Sequence, residues 1–593
     1  MNQLILDRLA NLRKQMEKAG VQACFISGTD PHQSEYMPLH WQTRAYISGF
    51  TGSAGMVAVT MNQAALWTDS RYFLQATQQM EGTNIQLMKM RIEGTPSPAR
   101  WLGQVLGAGA TIGVDAELVA VSQYNNLKKE LLHNKQQLKN TGDLLNAGWT
   151  NRPPLPETPV FEHELNYAGY SRLEKINQIR KGMKESGASA TIVSALDDLA
   201  WTFNLRGQDV NYNPVFLGYA LITEKEVQLF INPAKLPTEI REKLHHEEIQ
   251  LKDYSEIYSS LKKLKGPLLI DPDRVNQLLI DSLPTAAEVI EQVSIPDMLK
   301  AIKSEVEIAN FRKTMLLDGI AMVDFLFWLD HTIGQEKVDE YEVALKLDYF
   351  RSLQKGYRGI SFFPIIGYNK TGAIVHRTVT KETANPVKRE GMLLFDSGGQ
   401  YLSGTTDITR TIILSEPSGQ QQKDFTITLK GVIGMTNARF PEGTKGCNID
   451  LFARKAMWEN GMNYGHGTCH GIGYFLNVHE GPMSIRQEYN EHPICPGMVL
   501  SNEPAFYREG QYGLRTENVM LCVEKEITEY GRFLGFETLT LCPIDKKLIT
   551  KKYLTADEVD WINNYHQRVY RELSPLIDSA EKLEFLKNAT EPI

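Results

Sequence analysis

Apolar residues recur at close to helical spacing across the first twenty positions, MNQLILDRLANLRKQMEKAG, where Leu4, Leu9 and Leu12 interrupt a charged background. The pattern predicts an amphipathic helix rather than a signal peptide, whose apolar stretch would be uninterrupted. Small residues at Ala19-Gly20 end it, and VQACFISG follows as a short apolar run of the kind that forms a buried strand. The same order returns later, where RLEKINQIRKGMKESG closes at Ser186-Gly187 and ASATIVSA follows. YISGFTGSAGMVAVTMNQAALWTD and FLGYALITEKEVQLFIN supply later strands to the two units, which the parallel predicts to be related α/β domains.

Strand patterns concentrate again near the end. MLLFDSGGQYLSGTTDITRTIIL (392–414) and MVLSNEPAFYREGQYGLRTENVMLC (498–522) each read as two strands around a turn. DMLKAIKSEVEIANFRKTMLLDGIAMVDFLFWLD is a long helical pattern opening this region, and the capping-box spacing Thr555 to Glu558 predicts a last, surface-packed helix. Between the units, TNRPPLPETP (150–159) sets Pro153, Pro154, Pro156 and Pro159 where neither helix nor central strand can form. A second boundary falls between Pro284 and Pro296. The expected division is 1–155, 156–299 and 300–593, an α/β (α+β) architecture too long for one core.

Composition narrows the chemistry. A hydrophobic fraction of 42% and a charged fraction of 23% are those of an ordinary globular protein. The net charge of -8 is spread over mixed signs, which excludes a nucleic-acid footprint and a polybasic membrane patch. No run of about 18 apolar residues is present, so no membrane span is expected. The six cysteines never form CxxC, which argues against a disulfide framework or zinc ribbon and for a reducing compartment.

Each of the two hairpins near the end carries two acids. Asp396 ends an apolar run, and Asp407, Thr409 and Thr411 alternate with Ile408 and Ile412, so Asp407 lies on the face opposite those isoleucines. A turn over 398–405 would set Asp396 across from Asp407; Glu503 and Glu517 repeat the arrangement. Two carboxylates about 4 Å apart repel by roughly 4 kcal/mol at an effective dielectric near 20, so a converging set needs protons or cations. Two divalent cations and a bridging hydroxide would bring four carboxylates close to neutrality. Such an oxygen-rich set with one nitrogen suits manganese and can hold cobalt or zinc. NYGHGTCHGIGYFLNVHEGP (463–482) holds three of the chain's thirteen histidines, His466, His470 and His479, and His376 precedes Asp396 by twenty residues. One of these is expected to be the nitrogen ligand and the others to serve the substrate.

Competing motifs are weaker. SGFTGSAG (48–55) lacks the GxGxxG spacing and a following helix, and is expected to be a turn between strands. No GxxxxGK[ST] or HExxH occurs. Cys469 beside His470 would need a dedicated base and an oxyanion pocket to act as a nucleophile.

DSGGQYLSGTTDITRT, HGTCHGIG, FLNVHEGP, NEP and GLRTENV, with HQSEYMPLHWQTRAYISGFTGSAG, WTDSRYFLQA, DDLAWTFNLRG and YNPVFLGYA before them, resemble in order and spacing the long, three-domain cytosolic aminopeptidase P family. The resemblance covers nearly the whole chain. It implies two creatinase-type domains followed by a pita-bread catalytic domain, and Xaa-Pro hydrolysis at a peptide's N-terminus by a metal-bridged hydroxide. It further implies that Asp396, Asp407, His470, Glu503 and Glu517 bind two metal ions, usually manganese, with Asp407 and Glu517 touching both. Asp396 would be confined to one ion, and His470 and Glu503 to the other. His376, His466 and His479 would contact substrate, Glu503 would shuttle the proton and Arg515 would support the site. A cytoplasmic homodimer acting on peptides with a penultimate proline, without nucleic acid or membrane, is implied as well. The sequence departs from the family pattern at Asn502, Cys469 and Arg377. Alternatives are a prolidase acting on Xaa-Pro dipeptides, disfavoured by the two-unit extension, and a non-catalytic peptide-binding protein of the same fold, disfavoured by the complete ligand set. A creatinase-like hydrolase is disfavoured because those enzymes lack this ligand set.

Overall fold

The N-terminal pattern folds as a helix, Asn2–Ala19, with Ile5, Leu9, Leu12 and Met16 in the core. Leu4, expected on the buried side, is 52% exposed. At 3.6 residues per turn the stripe through Leu9 and Leu12 runs through Ile5 instead. In the computed structural model, which describes residues 2–593, the chain forms two compact units. One holds the residues up to His163 together with Tyr170–Asp297, and the other holds Glu164–Gly169 and Met298–Ile593.

The first unit contains two six-stranded sheets. Along the first the order is Gln86–Lys89, Ala64–Thr68, Met56–Thr60, Ala23–Ile26, Thr111–Val114, Gln137–Asn140. Along the second it is Ile249–Lys252, Val227–Phe230, Tyr219–Thr223, Ala190–Val193, Leu268–Ile270, Val289–Glu291. In both, the strand after the long helix pairs antiparallel with a hairpin strand on one side and parallel with a crossover strand on the other. The outer pairs also agree in sense. Identical order and identical senses are what a repeated unit produces, and the relation read from the sequence is present in the topology. SGFTGSAG joins the helix Thr43–Ser48 to the strand Met56–Thr60, so it links helix to strand and not two strands.

The long helical pattern leading into the second unit is split. Ile295–Ala301 is one short helix, and α1, Glu305–Thr332, starts afresh behind a Ser304/Glu307 capping box. The break exists because Ser304 Oγ and Glu307 satisfy end amides that a continuous helix would have used internally. Strands β1 (Ile365–Tyr368), β2 (Met392–Ser397) and β5 (Ile408–Ile413) form one antiparallel sheet, while β3 (Gly399–Tyr401) and β4 (Gly404–Thr405) form a small ribbon between β2 and β5. Strands β6 (Cys469–Gly471), β7 (Glu480–Ile485), β8 (Val499–Asn502), β11 (Asn518–Thr528) and β12 (Gly531–Thr538) belong to a second sheet, with the ribbon β9 (Ala505–Arg508) and β10 (Tyr512–Arg515) between β8 and β11. Both sheets therefore contain the motif strand, ribbon, strand.

Helix α1 packs Met322, Phe325 and Leu329 against Ile366, Leu393 and Phe395 of the first sheet. The last helix, α2 (Ala556–Leu573), has the expected capping box at Thr555 and Glu558 and buries Ile562, Tyr565, His566, Val569 and Leu573. All six cysteines are unpaired. Among the described residues no helix is long and apolar enough to cross a membrane.

Candidate metal centre

Asp396 lies opposite Thr409 in the β2–β5 ladder, and Asp407, two residues before Thr409, shares its face. Gly398 makes this possible, since a Cβ there would clash with the Thr406 carbonyl and Ser361 Oγ. Glu503 and Glu517 stand just beyond the Asn502–Asn518 pair of β8 and β11. In each hairpin an acid thus precedes the ribbon and another follows it.

The two hairpins are bonded to each other by the alternate threonines. Thr409 Oγ1 donates to Glu517 Oε2 at 2.7 Å and accepts from Arg515 Nε at 3.0 Å. Thr411 Oγ1 donates to the Arg515 carbonyl at 3.0 Å, and the Glu517 amide donates to the Thr409 carbonyl at 3.0 Å. Between them Arg410, buried, donates to the Glu517 carbonyl at 2.6 Å, to Asn518 Oδ1 at 2.8 Å and to Tyr565 Oη of α2 at 2.9 Å.

His470 arrives from β6. Its Nδ1 faces the Gly471 carbonyl at 2.9 Å, which turns Nε2 toward Asp407 Oδ2 at 3.4 Å and Glu503 Oε1 at 3.5 Å. Asp407, His470 and Glu517 each offer a ligand atom within 4.8 Å of the other two. Arg515 Nη2 donates to Asp396 Oδ2 at 2.6 Å, while Asp396 Oδ1 is buried with no hydrogen-bond partner.

The electrostatics agree with the geometry. Burial pushes the Asp396 carboxyl up to about 7 against the pull of Arg515, with Asp407 and Glu503 adding to the rise. Burial, then Asp407, Glu503 and Asp396, push Glu517 well above the carboxylate range. Burial also raises Glu503, although His470 and Arg515 oppose it. For His470 burial opposes charge, but Asp407 and Glu503 outweigh it and hold the imidazole up to about 9. All four directions express one shortage. Four carboxylates face a single guanidinium, which leaves three negative charges in a poorly solvated place unless cations or protons join them. A pair of divalent cations fits this donor set of carboxylates and one imidazole, and Asp396 Oδ1 is an acceptor waiting for such a partner.

The other histidines surround the acids. The His479 ring meets the His470 ring edge-on, with centroids 4.5 Å apart at 86°. His466 Nδ1 faces the Gly467 carbonyl at 2.7 Å and its Nε2 lies 2.9 Å from Tyr507 Oη, which accepts a hydrogen bond from Arg515 Nη1. His376 reaches the region by backbone pairing: Thr378 bridges to Ile365, whose ladder partner is Asp396.

The departures from the family pattern have structural uses. Arg377 is buried, pairs with Glu340 at 2.7 Å and donates to the carbonyls of Ile366 and Thr383, anchoring the turn that carries His376. Asn502 donates to the Val432 carbonyl and Thr436 Oγ1, both at 3.0 Å, which an ionised aspartate could not do. Cys469 packs in the core of the second sheet, and burial pushes its thiol far up, so no thiolate nucleophile forms there.

Sequence reasoning did not find Tyr507, Arg410 or Asp318. Asp318 on α1 accepts from Arg351 Nε at 2.7 Å, Tyr401 Oη at 3.0 Å and Thr406 Oγ1 at 3.0 Å, and Arg351 Nη1 donates to Ser397 Oγ at 2.9 Å. Ser397 and Thr406 adjoin Asp396 and Asp407, so one buried carboxylate braces the flanks of both acids. The polar residues inside DSGG and GTTD were the only signal of this.

Comparison with known proteins places these observations in a series. Descriptions of known families match as follows: Creatinase/Prolidase N-terminal domain at residues 8–148 and again at 151–307, Metallopeptidase family M24 at 309–524, and C-terminal region of peptidase M24 at 532–593. The chain is 38% identical to a protein of Coprinopsis cinerea named probable Xaa-Pro aminopeptidase P, over 99% of this chain and 98% of that one. It is similar to the crystal structure of X-prolyl aminopeptidase from Caenorhabditis elegans, described as a cytosolic enzyme with a di-nuclear active site. The TM-score is 0.95 and the identity 31%, covering 99% of this chain and 100% of that one. The prolidase from Pyrococcus horikoshii aligns with a TM-score of 0.50 and 25% identity, covering 63% of this chain and 100% of its own.

Proposed function

The chain belongs to metallopeptidase family M24 and, within it, to the Xaa-Pro aminopeptidases P, and from this premise we propose that it releases the N-terminal residue from peptides whose second residue is proline. The observation that supports the reading most directly is the meeting of Asp396, Asp407, His470, Glu503 and Glu517 around one point of excess negative charge, on a chain alike to aminopeptidases P over its whole length.

The family and its solved relative have a two-metal site, and we assign Asp396, Asp407, His470, Glu503 and Glu517 as its ligands, with manganese as the metal and zinc or cobalt as substitutes. When bound, two such cations make water nucleophilic near neutral pH and polarise the scissile carbonyl. The protein's own groups do the rest. Glu503, whose carboxyl is raised by burial and whose side chain keeps some exposure, takes a proton and delivers it to the departing proline nitrogen. Both ring nitrogens of His466 have partners, so His466 acts with Tyr507 and Arg515 as one bonded row that holds Asp396. His479, beside His470, is the donor to the oxygen that becomes negative, and such a donor is worth about 100-fold to 1000-fold in rate. His376 contacts the substrate from the turn that Arg377 anchors.

An Xaa-Pro bond is a tertiary amide without N–H, and the ring fixes φ near -65°, so a pocket shaped for this bond has to be separate from those of ordinary aminopeptidases. Prolidase action is disfavoured because the solved prolidase covers only 63% of this chain. The domain division at 155 and 299, a cytoplasmic location and a homodimer complete the proposal. The dimer has support in three exposed apolar side chains, Leu451, Phe452 and Trp458, on one eight-residue helix, and sedimentation would report it. The test of activity is an Xaa-Pro-Xaa tripeptide, offered before chelation, after it, and after manganese is returned. Hydrolysis should vanish and reappear, and the dipeptide should be cleaved more slowly. A rate indifferent to chelation, or a preference for the dipeptide, overturns the reading.

A further inference from the structure

Glu480 follows His479 at the first position of β7, and its carboxylate turns inward. Its partner is Lys303, just before the Ser304 cap of α1, and the two side chains are 1% and 0% exposed. The Lys303 ammonium pairs with Glu480 Oε2 and also donates to the carbonyls of Lys300 at 2.9 Å and Ala301 at 3.4 Å, while the Lys303 amide donates to the Gly497 carbonyl at 2.9 Å. Lys303 is therefore held by its backbone as well as by its charge. A buried ion pair is poorly explained by stability, since apolar side chains of similar volume commonly do as well or better. Its distinctive property is placement.

Residues 472–479 have no regular structure, so His479 ends an irregular stretch directly before a residue that is paired in a strand. That residue, Glu480, pairs across the ladder with Gly471, the neighbour of His470. The approach is close enough that a Cβ on Gly471 would clash with the Glu480 carbonyl and Met483. The ion pair thus anchors the chain where the two histidine rings meet edge-on at 4.5 Å.

We infer that Lys303 is a positioning residue for the hydrolysis: through its buried pair with Glu480 it fixes His479 against His470 at the margin of the acid cluster. The inference rests on the reading of His479 as a substrate-contacting group. Lys303→Met alone would strand a buried carboxylate and risk the fold, so the decisive protein is the double variant K303M/E480L, which removes both charges together. It should unfold at a temperature close to the parent's and bind manganese with the parent's affinity. Its kcat on the tripeptide should nonetheless fall about 10-fold to 100-fold, the size expected for a group displaced by about 1 Å, with a smaller change in KM. Parent kcat in the folded double variant overturns the inference. Should the double variant fail to fold, Glu480→Asp keeps the pair but shortens it by one methylene; a drop of about 10-fold in kcat with unchanged manganese affinity supports positioning, and an unchanged kcat refutes it. H479A reports separately on the underlying reading. Full activity in H479A sinks that reading, whereas loss in H479A with parent activity in K303M/E480L sinks only the role of the ion pair.

Discussion

Thr409→Val removes one hydroxyl and nearly conserves volume. That hydroxyl is buried, donates to Glu517 Oε2 at 2.7 Å and accepts from Arg515 Nε at 3.0 Å. Valine leaves a carboxylate oxygen and a guanidinium N–H without partners in a place water does not reach. A hydrogen bond to a charged group contributes about 1.5 to 3 kcal/mol. In the ion-free protein burial and the neighbouring acids Asp407, Glu503 and Asp396 push the Glu517 carboxyl well above the ordinary range, which favours its protonated form and lessens the effect of the missing donor on Glu517 itself. Divalent cations bound there would favour the ionised carboxylate, on which the loss of the donor acts in full. It therefore falls mainly on metal affinity, and about 2 kcal/mol corresponds to roughly 30-fold in Kd. Calorimetric titration of manganese into metal-free protein should show T409V weaker by about 10-fold to 100-fold, with the ion-free form itself less stable by about 1 to 3 kcal/mol because the buried Arg515 N–H has lost its acceptor. A variant that binds manganese as tightly as the parent would refute the claim that this hydroxyl supports ionised Glu517.

Asp318→Asn should be more damaging to the fold than T409V, since it leaves the buried Arg351 guanidinium without its carboxylate; urea unfolding should reveal a loss of about 3 to 5 kcal/mol, and parent stability would remove the bracing role given to Asp318. Two buried histidines outside the acid cluster should make the protein sensitive to acid. Burial holds His566 down to about 4 and His32 down to about 3, both neutral in the folded chain, whereas unfolded histidine takes up its proton near 6.5. The unfolded state then binds more protons below that value, so the stability is complete above pH 6.5 and declines as pH falls toward 4. For His566, whose Nε2 accepts from the Ile544 amide, the share lost between pH 7.5 and pH 5 is about 2 kcal/mol, and H566Q should flatten the urea midpoint by that amount; an unaltered slope would contradict it.

Much of this was legible along the chain. Period-two alternation placed Asp407, Thr409 and Thr411 on one face, and the structure turns that face to the second hairpin, where the threonines bond Glu517 and Arg515. The capping box at Thr555 and the unpaired cysteines were equally readable, because each depends on neighbours a few residues apart or on composition. Leu4 and the supposed continuous helix through α1 were misread where one residue of helical phase, or a capping box, decided between local alternatives.

The sequence by itself determined which residues carry carboxylates and imidazoles, the alternation that sorts them onto faces, and the two acid-bearing hairpins. Only the tertiary structure decided how those faces meet: that Arg515 serves Asp396, that Asp318 reaches Tyr401 and Thr406 across more than 80 positions and Ser397 by way of Arg351, and that Lys303 finds Glu480 across 177 positions. The reason is physical. Local spacing sets the direction of a side chain, but a buried charge takes its partner from whatever the packed core brings within hydrogen-bond reach, and that choice leaves no periodic trace in the chain.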